Sequence, residues 1–180
     1  YLEVYGAEAD DIIATLCKNT QTEKDRSKNE KVMIVSGDKD FIQLQKYYNV
    51  DQYSPITKKH ISGHDPITYI KEHILKGDTS DGVPNVLSPD HTFTEGLRQN
   101  PLSRKKIDTW IDIDMEDMTD EVKRNYQRNE KLISLDKIPE ELEEDILREF
   151  AGAPHGDRSK LLNYFIQTRL KSLTETIGEF

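Results

Sequence analysis

The residues best suited to chemistry in this sequence are acids gathered into three short groups. They are Glu8-Ala9-Asp10-Asp11, Asp38-Lys39-Asp40, and the pair Asp78 and Asp81 within Gly77-Asp78-Thr79-Ser80-Asp81-Gly82-Val83-Pro84. Each group falls at the boundary of an expected structural element. Carboxylates crowded together repel unless a cation lies between them, and hard divalent ions such as Mg²⁺ and Mn²⁺ take oxygen ligands. Glu8, Asp10, Asp38, Asp40, Asp78 and Asp81 are therefore candidate metal ligands. Plainer readings cover only part of the pattern. Acids in a first helical turn gain about 0.3–1 kcal/mol each from the helix dipole, which accounts for one of the first group but not for three in four residues. A turn followed by an N-cap accounts for one of Asp38 and Asp40. Ile42, two residues past Asp40, departs from the Thr or Val of aspartyl-phosphate phosphatases, and no glycine sits where a calcium loop needs one. A helix stop and a turn explain Gly77 and Gly82, but not two acids three residues apart.

The elements that must hold these groups can be read from apolar spacing. Ile12, Ile13, Leu16 and Cys17 form a helical stripe over residues 7–20, with Glu8, Asp10 and Asp11 in its first turn. Lys31-Val32-Met33-Ile34-Val35-Ser36-Gly37 reads as a strand buried on both faces. That puts Asp38 and Asp40 at its carboxyl end, where open α/β sheets bind ligands. Phe41, Ile42 and Leu44 should pin a following helix. Val50–Tyr53 and Thr57–Ile61 predict short strands. Asp65-Pro66 opens a helix with Ile67, Ile70 and Ile74 as its stripe, stopped by Gly77. The polar connection that follows can offer backbone N–H groups to a phosphate. Residues 87–101 are irregular, and Leu102-Ser103-Arg104-Lys105-Lys106-Ile107 is the compact basic cluster. A helix over 119–134 should turn Val122, Tyr126, Leu132 and Ile133 inward. Another begins at Ile138-Pro139, with Leu142, Ile146, Leu147 and Phe150 as its stripe and a break at 152–156. Leu161, Leu162, Phe165, Ile166 and Leu170 mark a last one.

Bulk properties narrow the class without settling it. The chain has 180 residues and a net charge of −9. That charge alone argues against a nucleic-acid binder. However, much of the acid lies in 112–121 and 140–149, which read as solvated faces. No apolar run approaches the ~20 residues of a membrane span, which predicts a soluble protein with no membrane partner. The single Cys17 excludes an internal disulfide, reads as a small core residue and fits a reducing compartment. His60 and His64 lack the further N or S ligands a zinc site needs. There is no initial Met or signal peptide, and the chain opens in mid-pattern, so a piece of a longer protein is expected.

The three acid groups, in this order and at these boundaries, resemble the successive motifs of the flap endonuclease and 5′-nuclease superfamily, in particular its phage members. Tyr5-Gly6-Ala7 ahead of the first group, Gln52-Tyr53-Ser54-Pro55 and the closing Phe180 extend the likeness, which is weakest over 87–118. The resemblance implies an α/β fold. Residues 1–64 would be the carboxyl half of a PIN-like parallel-sheet nuclease core, and residues 65–180 an all-helical region with a helix-turn-helix. It implies a metal-dependent 5′ to 3′ exonuclease or flap endonuclease that removes RNA primers or 5′ flaps from duplex nucleic acid. Two Mg²⁺ ions, replaceable by Mn²⁺, would supply the chemistry. Asp10, Asp38, Asp40 and Asp81 would be catalytic, with Glu8 and Asp78 completing the metal set. Thr79, Ser80, Gly82 and Val83, with Lys58, Lys59, Arg104 and Lys105, would hold DNA or an RNA–DNA duplex. A monomer is implied, working in the cytoplasm of a phage-infected or prophage-carrying bacterial cell, with a single-strand DNA-binding protein as a candidate partner. The family's first strand, with its own metal-binding Asp, a further acid and the arch that threads a 5′ end lie outside this chain. Weak metal binding and poor cleavage are therefore expected of it alone. Asn85 stands where many relatives have Gly, and a later Gly-x-Gly is missing, which counts against a monovalent-ion site. The competing reading is a non-catalytic DNA or replication-protein binding module. A PIN-type endoribonuclease would share the acids but not need the helical region after Asp65.

Overall fold

Strand β1 (Val32–Val35) lies at one edge of a three-stranded sheet ordered β1-β2-β3. It pairs in parallel with β2 (Val50–Ser54), Val32 opposite Val50 and Val35 opposite Tyr53. Strand β3 (Lys59–Ile61) runs antiparallel to β2, joined through a turn in which Lys58 takes a left-handed φ of 55°. The computed structural model describes residues 1–113, 115–153 and 160–179. The sheet is small and mixed, and helices make up most of the rest: α1 (Ala9–Thr20), α2 (Pro66–Lys76), α3 (Arg104–Trp110), α4 (Asp120–Ile133), α5 (Glu140–Gly152), α6 (Leu161–Gln167) and α7 (Lys171–Glu175). The expected break at 152–156 falls partly, and Phe180 wholly, outside the described residues. Among the described residues no helix is long and apolar enough to cross a membrane.

Burial of β1 differs from the expectation for a central strand. Ile34 is buried, but Met33 is 46% and Val35 64% exposed. Successive side chains of a strand point to opposite faces, and only the Ile34 face is covered. There Ile34 meets Ala14 and Cys17 of α1, Phe41 and Leu44 of the segment after β1, and Val50 of β2. That segment, Asp40–Lys46, is a 3₁₀ helix with four consecutive buried residues, Phe41 to Leu44. Helix α5 lies along α1, where Lys18 pairs with Glu143 at 2.9 Å.

A second core gathers Leu75, Val86, Ile107 and Val122, and a third cluster of Ile74, Val83 and Ile133 adjoins it. Helix α2 starts as expected: the Asp65 carboxylate accepts the Thr68 N–H at 2.9 Å and Pro66 occupies the first turn. Its buried residues are Ile74 and Leu75, whereas Ile67 is exposed, because α4 covers only the carboxyl-terminal part of its apolar stripe. Leu132 and Phe150, both expected inward, are also exposed. The two parts are joined by Gln43. Its side-chain amide donates to the Ile133 carbonyl at 3.2 Å and accepts the Leu135 N–H at 2.9 Å, satisfying the end of α4. Between Asn85 and Ser103 the chain is a series of turns, so the next helix after the acid connection begins only at Arg104.

Candidate metal centre

Asp38 and Asp40 are presented by a hydrogen-bonded turn at the end of β1. The Ser36 hydroxyl accepts the Asp38 N–H at 3.1 Å, and the Asp38 carboxylate accepts the Asp40 N–H at 3.1 Å. Gln52 of β2, 1% exposed, donates its side-chain N–H groups to the carbonyls of Ser36 and Asp38. The turn is thus held from the neighbouring strand. Asp40 then opens the 3₁₀ helix whose apolar residues are sunk in the first core.

The first group divides by role. Glu8 and Asp11 form a capping box at the start of α1, the Asp11 carboxylate accepting the Glu8 N–H at 2.9 Å. Asp10 takes no part in that box and lies within electrostatic reach of Asp38 and Asp40. Burial pushes its carboxyl up to about 6, with Asp38, Asp40, Glu8 and Asp11 adding to the rise. Burial likewise raises Asp40. His73 pulls against that rise, while Asp38, Asp78 and Asp81 add to it. Asp10, Asp38, Asp40, Asp78 and Asp81 therefore share one electrostatic environment, although they come from three separated stretches.

His73 of α2 sits between the second and third groups. Its Nδ1 is 3.4 Å from Asp40 Oδ1 and its Nε2 is 3.2 Å from Asp78 Oδ2. One donor atom from each of Asp40, His73 and Asp78 falls within a 4.8 Å span. Tyr69, one turn earlier on α2, packs edge-on against the imidazole at 5.9 Å, and burial with the neighbouring Asp40 pushes its phenol up to about 12. Asp78 is locked by its own turn. Its carboxylate accepts from Ser80 N–H at 2.8 Å, from the Ser80 hydroxyl and from Asp81 N–H at 3.4 Å. Burial alone would raise the Asp78 carboxyl, but these bonds and His73 outweigh it and leave the carboxyl below its usual range.

This donor set fits a divalent cation. Two carboxylate charges 4–5 Å apart repel by roughly 3–4 kcal/mol at an effective dielectric near 20. The His73 Nδ1 atom is buried without a hydrogen-bond partner. Carboxylate oxygens suit Mg²⁺ or Mn²⁺, and an imidazole nitrogen beside them favours the transition ion. Asp40 and Asp78 are brought together, with Asp10 and Asp38 beside them. Asp81 is exposed at the rim, and Glu8 is exposed and engaged in capping.

The nucleic-acid candidates are more scattered. The N–H groups of Ser80 and Asp81 bond to the Asp78 side chain, Gly82 N–H to the Thr79 carbonyl at 3.4 Å and Val83 N–H to the Asp78 carbonyl at 2.7 Å. These four amides are engaged within the turn, and Val83 is buried. Thr79, Ser80 and Gly82 are exposed, as are Lys58, Lys59 and Lys105. Arg104 is paired with Glu72 at 2.7 Å and Asp108 at 2.8 Å. Sequence reading missed His73 and Gln52 as parts of the site. His73 lies one turn after Tyr69 and five residues before Asp78, a helical placement that could have drawn attention to it.

Residues 1–73 match the family description "5′-3′ exonuclease, N-terminal resolvase-like domain", with which the small mixed sheet and its helices are consistent. Residues 65–180 match "T4 RNase H, C terminal", and the chain belongs to that family. It is similar to ribonuclease H of enterobacteria phage T4, with 37% identity over 189 residues covering 99% of this chain and 60% of that protein. It is also 38% identical over 92 residues to a 5′-3′ exonuclease of Buchnera aphidicola subsp. Schizaphis graminum, covering 47% of this chain and 30% of that protein. The chain thus spans 60% or less of the length of these curated relatives. The family resemblance read from the acid motifs is borne out.

Proposed function

We propose that this chain is the carboxyl-terminal part of a metal-dependent 5′ to 3′ exonuclease or flap endonuclease acting on RNA primers or 5′ flaps of duplex nucleic acid. One observation carries the reading: acids from the end of β1 and the turn after α2 meet around His73, and Asp10 of α1 interacts with the same strand-end pair. Residues 1–64 would be the carboxyl half of a PIN-like core and residues 65–180 the nucleic-acid-binding region. When bound, two Mg²⁺ or Mn²⁺ ions would activate water for in-line attack on a phosphodiester and stabilise the leaving oxygen. Asp10, Asp38, Asp40 and Asp78 would hold them, with Asp81 and Glu8 completing the acid set. No side-chain nucleophile is required. Thr79 and Ser80 at the rim, with Lys58, Lys59, Arg104 and Lys105, would contact backbone phosphates, so binding is salt-dependent and tolerant of sequence.

The test is calorimetric titration of the chain with Mn²⁺, beside Asp38→Asn and Asp40→Asn. Saturable binding that both substitutions abolish supports the nuclease reading. If the folded chain binds no Mn²⁺, the titration is repeated on a longer chain that carries the family's first strand, and no binding there leaves the non-catalytic binding module as the better account.

A further inference from the structure

We infer that Asn125, Arg128 and Asn129 of α4 are positioning residues for the acid turn at 78–83, a proposal that rests on the metal-site reading above. None of them touches an acid of the nest. Asn129 Nδ2 donates to the Ile74 carbonyl at 2.8 Å and to the Pro84 carbonyl at 2.9 Å. Ile74 follows His73, and Pro84 follows Val83, whose N–H closes the turn on Asp78. One amide therefore spans the neck of the loop that carries Asp78, with His73 one residue before that neck. Arg128 Nη2 grips the same Pro84 carbonyl at 2.8 Å, while its Nη1 pairs with Asp90 at 2.5 Å. Asn125 Nδ2 continues the clamp to the carbonyls of Val86 at 3.0 Å and Ser88 at 3.3 Å.

The clamp is more than a way of filling the core. Asn125 and Asn129 are both fully buried, and their side-chain oxygens accept from Arg124 and Arg128 at 2.8 and 2.9 Å. They lie beside Leu75, Val86 and Ile133, where apolar side chains would serve packing as well. A buried polar group costs free energy unless every partner is supplied, and what a satisfied network adds is a fixed backbone path. The path fixed here is the one that sets His73 and Asp78 against Asp40. Groups that orient metal ligands typically alter metal affinity by about 10–100-fold.

The experiment compares Arg128→Met, Arg128→Lys and Asn129→Leu with Ile146→Val, a buried change in α5 that serves as a stability control. Two quantities are read: Mn²⁺ affinity by calorimetry, and hydrogen exchange of the Val83 and Val86 amides by NMR in metal-free protein. The expected result is at least tenfold weaker Mn²⁺ binding in Arg128→Met and Asn129→Leu, with faster exchange at both amides. Arg128→Lys, which can reach one carbonyl, should fall between them and wild type. Ile146→Val should change neither quantity. Unchanged affinity in Arg128→Met and Asn129→Leu overturns the proposal, as does an equal loss in Ile146→Val. If wild type binds no Mn²⁺, the affinity measurement is repeated on a longer chain that carries the family's first strand, and no binding there is a failure of the metal reading. The exchange data then decide the clamp: protection unchanged in the variants overturns it.

Discussion

Gly77 lies directly against Val83. A Cβ at Gly77 would sit 2.3 Å from the Val83 carbonyl oxygen and 2.6 Å from the Pro84 carbonyl, and Gly77 has a φ of +68°. The third acid group therefore depends on a residue without a side chain. Gly77→Ala should cost about 3 kcal/mol or more, from the left-handed strain and the displaced backbone together. Gly82 also has positive φ but faces open space, so Gly82→Ala should cost only about 1 kcal/mol. Urea denaturation of both variants decides the matter. Equal losses would show that close approach is not what Gly77 provides.

Stability of the metal-free protein should depend on pH through Asp10. Its carboxyl is held at about 6, against 3.8 in the ordinary state, so the folded protein binds this proton more tightly than the unfolded chain does. The resulting stabilisation is complete below about pH 4 and is lost as pH rises through about 6. Melting temperatures of wild type and Asp10→Asn, measured from pH 4 to pH 8, should show the variant gaining on wild type above pH 6. Excess Mn²⁺ should reverse the order at pH 8. Parallel curves for the two proteins would remove Asp10 from the nest.

Gln52 should matter to both stability and metal. In Gln52→Leu the carbonyls of Ser36 and Asp38 lose their buried donor, a change worth about 1–3 kcal/mol. Because the same bonds orient Asp38 and Asp40, Mn²⁺ affinity should fall as well. A variant that loses stability but titrates with Mn²⁺ as wild type does would show that the turn holds without them.

The basic residues separate by their partners. Arg104 is already paired with Glu72 and Asp108 at the surface, where solvent screens both pairs, so Arg104→Ala should leave stability close to that of wild type. If Lys58 and Lys59 meet phosphates, each Lys→Ala change should reduce the salt slope of duplex binding by about 1. Fluorescence anisotropy across a salt series measures this. An unchanged slope in the double variant excludes the β2–β3 turn from the nucleic-acid path.

Much of this arrangement was legible in the sequence because it depends on local rules. The Asp65-Pro66 start and Gly77 stop of α2 are capping chemistry, and the α1 stripe is helical periodicity. The acid groups stood out because carboxylates so close together need a partner. What stayed hidden depends on tertiary neighbours. Asn129 occupies a core position of the stripe Val122, Tyr126, Asn129 and Ile133, yet a polar side chain at such a place reads as solvated until its acceptors are seen. Apolar spacing puts Ile67 on the α2 stripe and Leu132 beside Ile133 on α4, but both are exposed, since no element covers those sides among the described residues. For β1, an apolar run cannot tell one covered face from two.

Cys17 provides the molecule with a clock. Burial leaves it 2% exposed and pushes its thiol up to about 11, and only the thiolate reacts readily with alkylating agents. Labelling near neutral pH must therefore wait for α1 to lift from the sheet. The rate of that modification reports how often the layer bearing Asp10 breathes. Whatever ties Asp10 to the strand-end acids should slow the clock, and whatever drives them apart should quicken it.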